Sequence, residues 1–304
     1  MLEQYTDTFG FFNQRHTIKF DNCIVQPTFG VEDSSKWIKL SAHKDGFIYP
    51  PITKQYNAEW DRKAMKLNPT EEIPQTERPA LYYPVPVSHE LSIMNPLSDQ
   101  PRFGDAGLVI HLLAFLYGTR FQFHDWHIDG RLPIKSCGDV AHSVVGFQRV
   151  SENFLSHVYS EWLTWDEKCR FSFVNILCMH SRAISLENEW ESFASGYMVF
   201  DALHRLHANL GRDEYRTHYK RLPGMLNYYH LAEGKSGLLD GIYKVRNELF
   251  HEALWAGESP GHSASQSISF CLHRFNARLI VAITGYDNNY VHFPWWTFGD
   301  KLFD

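Results

Sequence analysis

"KVRNELFHEALWAG", residues 244–257, reads as one helix that carries Arg246, Asn247 and His251 through an otherwise apolar stretch. At about 100° per residue, Leu238, Ile242, Val245, Leu249 and Ala253 form one stripe, and Leu239, Tyr243, Phe250 and Leu254 continue it on one side. Arg246 falls inside this apolar arc, where a guanidinium is expensive unless a carboxylate or phosphate pairs with it. Asn247 and His251, four residues apart, stack where the arc meets the polar face of Asp240, Lys244 and Glu248. Two explanations fit this pattern. In the structural one, Arg246 pairs with an acid on a neighbouring helix, Asp201 in "MVFDALHRL" being the candidate, and His251 hydrogen-bonds inside a bundle. In the functional one, the arc packs partly against another subunit, and the polar border faces its own copy across a two-fold axis.

Outward from this stretch, the second half of the chain keeps a helical period. "SENFLSHVYSEWLTW", "FSFVNILCMHSRAI", "ENEWESFASGYMVFDALHRLHANLG", "EYRTHYKRLPGMLNYYHLA", "LLDGIYKVRNELFHEALWAG" and "SASQSISFCLHRFNARLIVAITG" all read as helices, with Gly211, Gly234, Gly257 and Gly285 at the expected stops. The first hundred residues read instead as short strands, "TIKF", "CIVQ", "KWIKL" and "FIYPPI", divided by turn residues. Five prolines in "LNPTEEIPQTERPALYYPVPV" predict an extended connection or edge segment. A helix is expected from Asp105 to Tyr117, stopped by Gly118, and a hairpin turn at Asp129 and Gly130. The fold class is therefore α+β: a β-rich domain over residues 1–148 and an all-α helical bundle with an aromatic tail over 149–304.

A chain of 304 residues favours two domains with real cores. Its formal charge of −6 excludes a surface coated in basic charge, so any nucleic-acid contact must come from a local patch. Five widely spaced cysteines without a C-x-x-C pair disfavour a disulfide framework or a zinc ribbon and fit a reducing cytoplasm. "MLEQYTDTFGFF" has no basic region ahead of an apolar run, and "AGLVIHLLAFLYG" is too short for a bilayer and contains His111. The expectation is a soluble, unexported protein.

Arg-Asn followed by three residues and His, late in a helical bundle, resembles the R-x4-6-H motif of the HEPN superfamily, many members of which are metal-independent endoribonucleases. The order of "YMVFDALHRL", "KVRNELFHEALW", "LIVAITGY" and an aromatic tail is similar to HEPN domains behind a β-rich region in ApeA-type anti-phage proteins. The resemblance implies catalysis by Arg246, Asn247 and His251 at a homodimer interface, without metal or cofactor; Asp201, the candidate partner of Arg246, is expected as a supporting residue. It also implies an RNA substrate, a role in defence or toxin-like growth arrest, and a regulatory partner or phage-derived trigger acting through the N-terminal domain. The chemistry is consistent. RNA carries its own nucleophile in the 2′-hydroxyl, so the protein must position the chain, move protons and stabilise phosphate charge. Neutral histidine can take the 2′-hydroxyl proton, a second, protonated one can supply the leaving 5′-oxygen, and arginine presents a planar fork to phosphate.

For substrate binding, "GRDEYRTHYKRLPG" offers Arg212, Arg216 and Lys220 at i, i+4 and i+8 with Arg221 alongside, a basic face if this stretch is helical. Asp213 and Glu214 could equally neutralise that face. Other constellations are weaker. His124 and His127 in "HDWHID" have helical ligand spacing on a strand-like segment, which sends them to opposite faces. His262 near serines lacks a hydrolase context, and Trp295 with Trp296 read as core cover. The rivals to a nuclease are a non-catalytic HEPN module that binds RNA or protein, and a ligand-sensing N-terminal domain merely dimerised by the bundle.

Overall fold

The structure, a computed structural model, describes residues 3–10, 12, 14–41, 47–48, 55–61, 66–73, 87–123, 132–133, 148–231, 237–257 and 266–293. The Asp129–Gly130 turn, the His124/His127 pair, His262, Gly234 and the Trp295/Trp296 tail lie outside them.

Period-2 alternation builds the N-terminal sheet. Strands β1 (Gln4–Gly10), β2 (Ile18–Phe20), β3 (Cys23–Pro27) and β7 (Val87–Met94) join β8 (Gln122–Phe123) in the order β2-β3-β7-β1-β8. Every pairing in this sheet is antiparallel. Ile18, Phe20, Cys23, Val25, Leu91 and Ile93 all point to the buried side, as alternate strand residues should. The short strands β4 (Phe47–Ile48) and β9 (Leu132–Pro133) pair with each other, as do β5 (Gln55–Asp61) and β6 (Lys66–Ile73). Pro69 of the proline-rich segment lies in the β5-β6 ribbon beside a register shift at Asn57/Ala58, a position where a missing N–H is tolerated.

One expectation fails here. "KWIKL" is not a strand but the second half of helix α1 (Val31–Ser41), which opens with Glu32 and Asp33. Acidic residues in a first turn complement the helix dipole and outweigh the β-like look of five residues read alone.

Helix α2 (Asp105–Tyr117) is buried on almost every face and ends at Gly118 in the left-handed conformation, as expected. A 3₁₀ turn, Pro101–Phe103, precedes it. Gly107 has no room for a side chain: a Cβ would stand 2.3 Å from the Arg102 carbonyl oxygen and 3.2 Å from Val174. At the head of the helix, the buried Asp105 carboxylate accepts hydrogen bonds from Leu97 N (3.0 Å), Ser98 N (3.1 Å) and Tyr159 Oη (3.0 Å), which makes its burial tolerable.

The second half is a helical assembly of α3 (Gln148–Thr164), α4 (Glu167–Ala183), α5 (Glu189–Asn209), α6 (His218–Tyr228), α7 (Leu238–Asn247), α8 (Gln266–Ile283) and α9 (Asn289–His292). Gly211 and Gly285 take positive φ just past α5 and α8, matching their reading as stops. The change of period near residue 148 does not interrupt packing. Buried side chains form one cluster from Phe9 of the sheet through α2 to Val291, with Phe115 of α2 against Phe154 of α3 and His180 of α4. Among the described residues, no helix is long and apolar enough to cross a membrane.

Candidate active site

Residues 244–257 are not one continuous α-helix. α7 ends at Asn247, and the chain continues as a π turn over Glu248–Glu252. Ala253 then adopts φ 55°, and Trp255 turns inward to pack on Phe193 at 5.3 Å between ring centroids. Glu248 holds the turn together: its carbonyl accepts from Leu254 N (3.1 Å) and its carboxylate from Gly257 N (3.1 Å).

The wider turn decides the geometry of the motif. In an α-helix, residues five apart point about 140° away from each other. Bonding of the i→i+5 type returns the chain to the same side after five residues. Arg246 Nη1 thus donates to His251 Nε2 at 2.9 Å and to Asn247 Oδ1 at 2.9 Å. The three expected residues converge, with Arg246 as the hub bonded to both Asn247 and His251. Because a guanidinium can only donate, His251 Nε2 accepts, which places the ring proton on Nδ1.

Behind Arg246 stands an aromatic wall. Its guanidinium carbon lies 5.7 Å from the centroid of Tyr197 on α5 and 5.4 Å from that of Phe250, while Phe250 itself is exposed. Among the described residues no carboxylate pairs with Arg246, and its Nε is buried without a hydrogen-bond partner. Asp201 does not fill that place. Its carboxylate pairs with Arg221 Nη1 at 2.8 Å and lies 3.7 Å from His218 Nδ1. One helical turn beyond Tyr197 on α5, Asp201 faces Arg221 and His218 of α6 rather than α7.

The basic face expected over Arg212–Lys220 does not form as a helix, because α6 begins only at His218. Gly224 explains the route of the preceding segment: a Cβ there would lie 2.5–2.6 Å from the Tyr215 ring, so the bare backbone lets Tyr215 lie on α6. Arg212 turns inward and donates to Tyr229 Oη and to the Ile283 carbonyl. Arg216 and Lys220 are exposed, and Arg221 is engaged with Asp201. Beside Asp201, Arg221 and Arg205 line a cavity of about 670 Å³ together with His204, Asn209 and Glu214.

Three site residues escaped the sequence reading: Tyr197, Phe250 and His218. Phe250 sat in view as part of the apolar arc. Tyr197 and His218 come from other helices, and the only local hint was a histidine three residues ahead of Arg221. The His218 ring lies 6.4 Å from that of Tyr197, and its Nδ1 is 3.1 Å from Arg221 Nη1. Burial first, then the charges of Arg221, Arg246 and His251, hold its pKa below the ordinary value against the opposite pull of Asp201. Burial also raises the Tyr197 phenol to about 12, so this ring stays neutral behind the guanidinium. Among the described residues, no group of three or more His, Cys, Asp or Glu side chains is arranged to hold a metal ion.

The chain matches no protein family, no curated protein and no solved structure.

Proposed function

We propose that the protein is a metal-independent endoribonuclease of the HEPN type, with Arg246, Asn247 and His251 as its catalytic set. The observation that supports it most is the state of Arg246. Its guanidinium is backed by two aromatic faces and bonded to an amide and an imidazole, with no carboxylate paired to it among the described residues. Such a cation is held for an anion from outside, and a planar fork suits two oxygens of a phosphodiester. On binding RNA, Arg246 turns toward the phosphate and releases His251 Nε2, which then takes the proton of the 2′-hydroxyl. Asn247 steadies the guanidinium. The exposed ring of Phe250 lies beside this position and offers a π face to a neighbouring base.

In this proposal the protein works as a homodimer in the cytoplasm, takes no cofactor, and serves anti-phage defence or toxin-like growth arrest under control of a regulatory partner or a phage-derived trigger. Incubating the purified protein with total RNA in EDTA tests it. The expected result is cleavage to 2′,3′-cyclic phosphate and 5′-hydroxyl ends, reduced about a hundredfold or more by His251→Ala or Arg246→Ala. A His251→Ala protein that cuts at the wild-type rate would reject the assignment.

A further inference from the structure

Breaking a ribose-phosphate link by internal attack requires two proton transfers, one from the 2′-hydroxyl and one to the departing 5′-oxygen. Each protomer's Arg246–Asn247–His251 set contains one imidazole, and the second copy that a homodimer brings is the same kind of ring, its Nε2 an acceptor bonded by Arg246 rather than a proton donor. We infer that His218 is a further catalytic residue of this site, the proton donor to the 5′-oxygen, with Asp201 as the residue that positions it; this rests on the ribonuclease reading above.

Both histidines are tied to one ring. The Tyr197 ring centroid lies 6.4 Å from that of His218 and 5.7 Å from Arg246 Cζ, the arginine that holds His251. α6 is anchored beside α7 by Tyr219, whose ring meets Tyr243 edge-on at 5.3 Å and whose hydroxyl donates to Asp240 at 3.2 Å. His218 is the first residue of α6, so this anchoring fixes its approach to the π turn. Its side chain remains 35% exposed, enough for a substrate to reach it.

The hydrogen bonds orient the ring. Arg221 donates to Nδ1, which leaves the ring proton on Nε2, the nitrogen away from Asp201 and Arg221. When the ring is protonated, Nδ1 gains a hydrogen that can only be donated, and the Asp201 carboxylate 3.7 Å away is the acceptor at hand. Nε2–H is a donor in both states.

The charged and titratable groups facing His218 are Asp201, Tyr197 and His204 from α5, Arg221 from its own helix, and Arg246 and His251 from α7 and its π turn. The two cations on the free protein's side of this balance disfavour a third charge. An arriving phosphodiester brings a negative charge against Arg246, so substrate binding itself favours the imidazolium. The step then balances. The 2′-oxygen forms a bond to phosphorus as its proton passes to His251 Nε2. The P–O5′ bond breaks, the electron pair stays on oxygen, and that oxygen receives the Nε2 proton of His218. Water or buffer later returns the proton from His251 to His218, and nothing else is consumed.

A leaving group that needs no proton separates this role from a structural one. Wild type, His218→Ala and His251→Ala would be assayed on an RNA oligonucleotide with an ordinary 5′-oxygen at the scissile position and on the same oligonucleotide with sulfur there. His218→Ala should cut the oxygen substrate about a hundredfold more slowly than wild type and the sulfur substrate within severalfold of it. His251→Ala should be slow on both. In the pH profile, wild type should lose rate on the alkaline side and His218→Ala should not, while Asp201→Asn should move that loss to lower pH. Equal rates of wild type and His218→Ala on the oxygen substrate would overturn the inference while leaving the ribonuclease reading intact; so would a His218→Ala defect of equal size on both substrates. A wild type that cuts neither substrate would bring down the ribonuclease reading and this inference together.

Discussion

Arginine at 246 does something lysine could not. Its guanidinium lies over the adjoining rings of Tyr197 and Phe250 while one nitrogen reaches both Asn247 and His251, two tasks that suit a flat, forked cation. Arg246→Lys should therefore retain the charge and still lose tenfold or more in kcat/KM, a comparison that steady-state kinetics can make directly. The other arginines divide by what they touch. Arg212 is a structural ligand of Tyr229 and Ile283, so Arg212→Ala should lower unfolding stability by about 1–3 kcal/mol and leave the salt dependence of RNA binding unchanged. The exposed Arg216 and Lys220 are the opposite case. Neutralising both should flatten the slope of log affinity against log salt, by about one to two units on single-stranded RNA, with stability untouched.

Among the elements, the π turn and α2 carry the greatest constraint. Trp255 closes the π turn against Phe193, and truncating a buried tryptophan costs about 3–5 kcal/mol. Trp255→Ala should also loosen the Arg246–His251 pair, so that thermal melting and RNA cleavage both suffer. Gly107→Ala pushes a methyl group into the Arg102 carbonyl and should destabilise by several kcal/mol in a denaturant titration, although alanine is the better helix former. Much at this scale was legible in sequence. Alternation marked β2 and β3, and period 3.6 marked the later helices, because each pattern reports burial of one face; the end of α2 was marked by Gly118. The β-like "KWIKL" misled because five residues cannot separate a strand from an amphipathic helix turn. The π turn was illegible for a different reason: backbone hydrogen bonding of the i→i+5 kind leaves no residue signature of its own in "ELFHE". His218 was illegible because its neighbours are 17 to 33 positions away in sequence at Asp201, Arg246 and His251, and only the packing of α6 beside α5 and α7 joins them.

Across the whole molecule, pH acts through histidines buried without charge. His89, bonded to Ser88 and the Gln14 carbonyl, and His111 inside α2 are both pushed by burial from 6.5 to about 4. Between these values the unfolded chain binds more protons than the folded one, so stability is complete above about pH 6.5, falls as pH drops, and reaches its floor near pH 4. The loss is on the order of 3 kcal/mol for each group. Urea titrations at pH 7 and pH 4.5 should show it, and His89→Gln should remove part of the difference. The two halves also stand or fall together. Residues 149–304 expressed alone would expose the faces of Phe154 and Val174 that α2 covers, and they should aggregate rather than fold.

α2 is hemmed in by β7 of the sheet on one flank and α4 on another, and α4 in turn lies along α5, the helix that bears Tyr197. A rod clamped in this way cannot swivel independently of its neighbours. Sheet, α2, α4 and α5 are thus packed in series, and the last of them carries the phenol ring that props up Arg246. The sheet is joined to the guanidinium by contact rather than by a linker, so on the ribonuclease proposal a shift along that series would be felt at the cation meant to receive the phosphate.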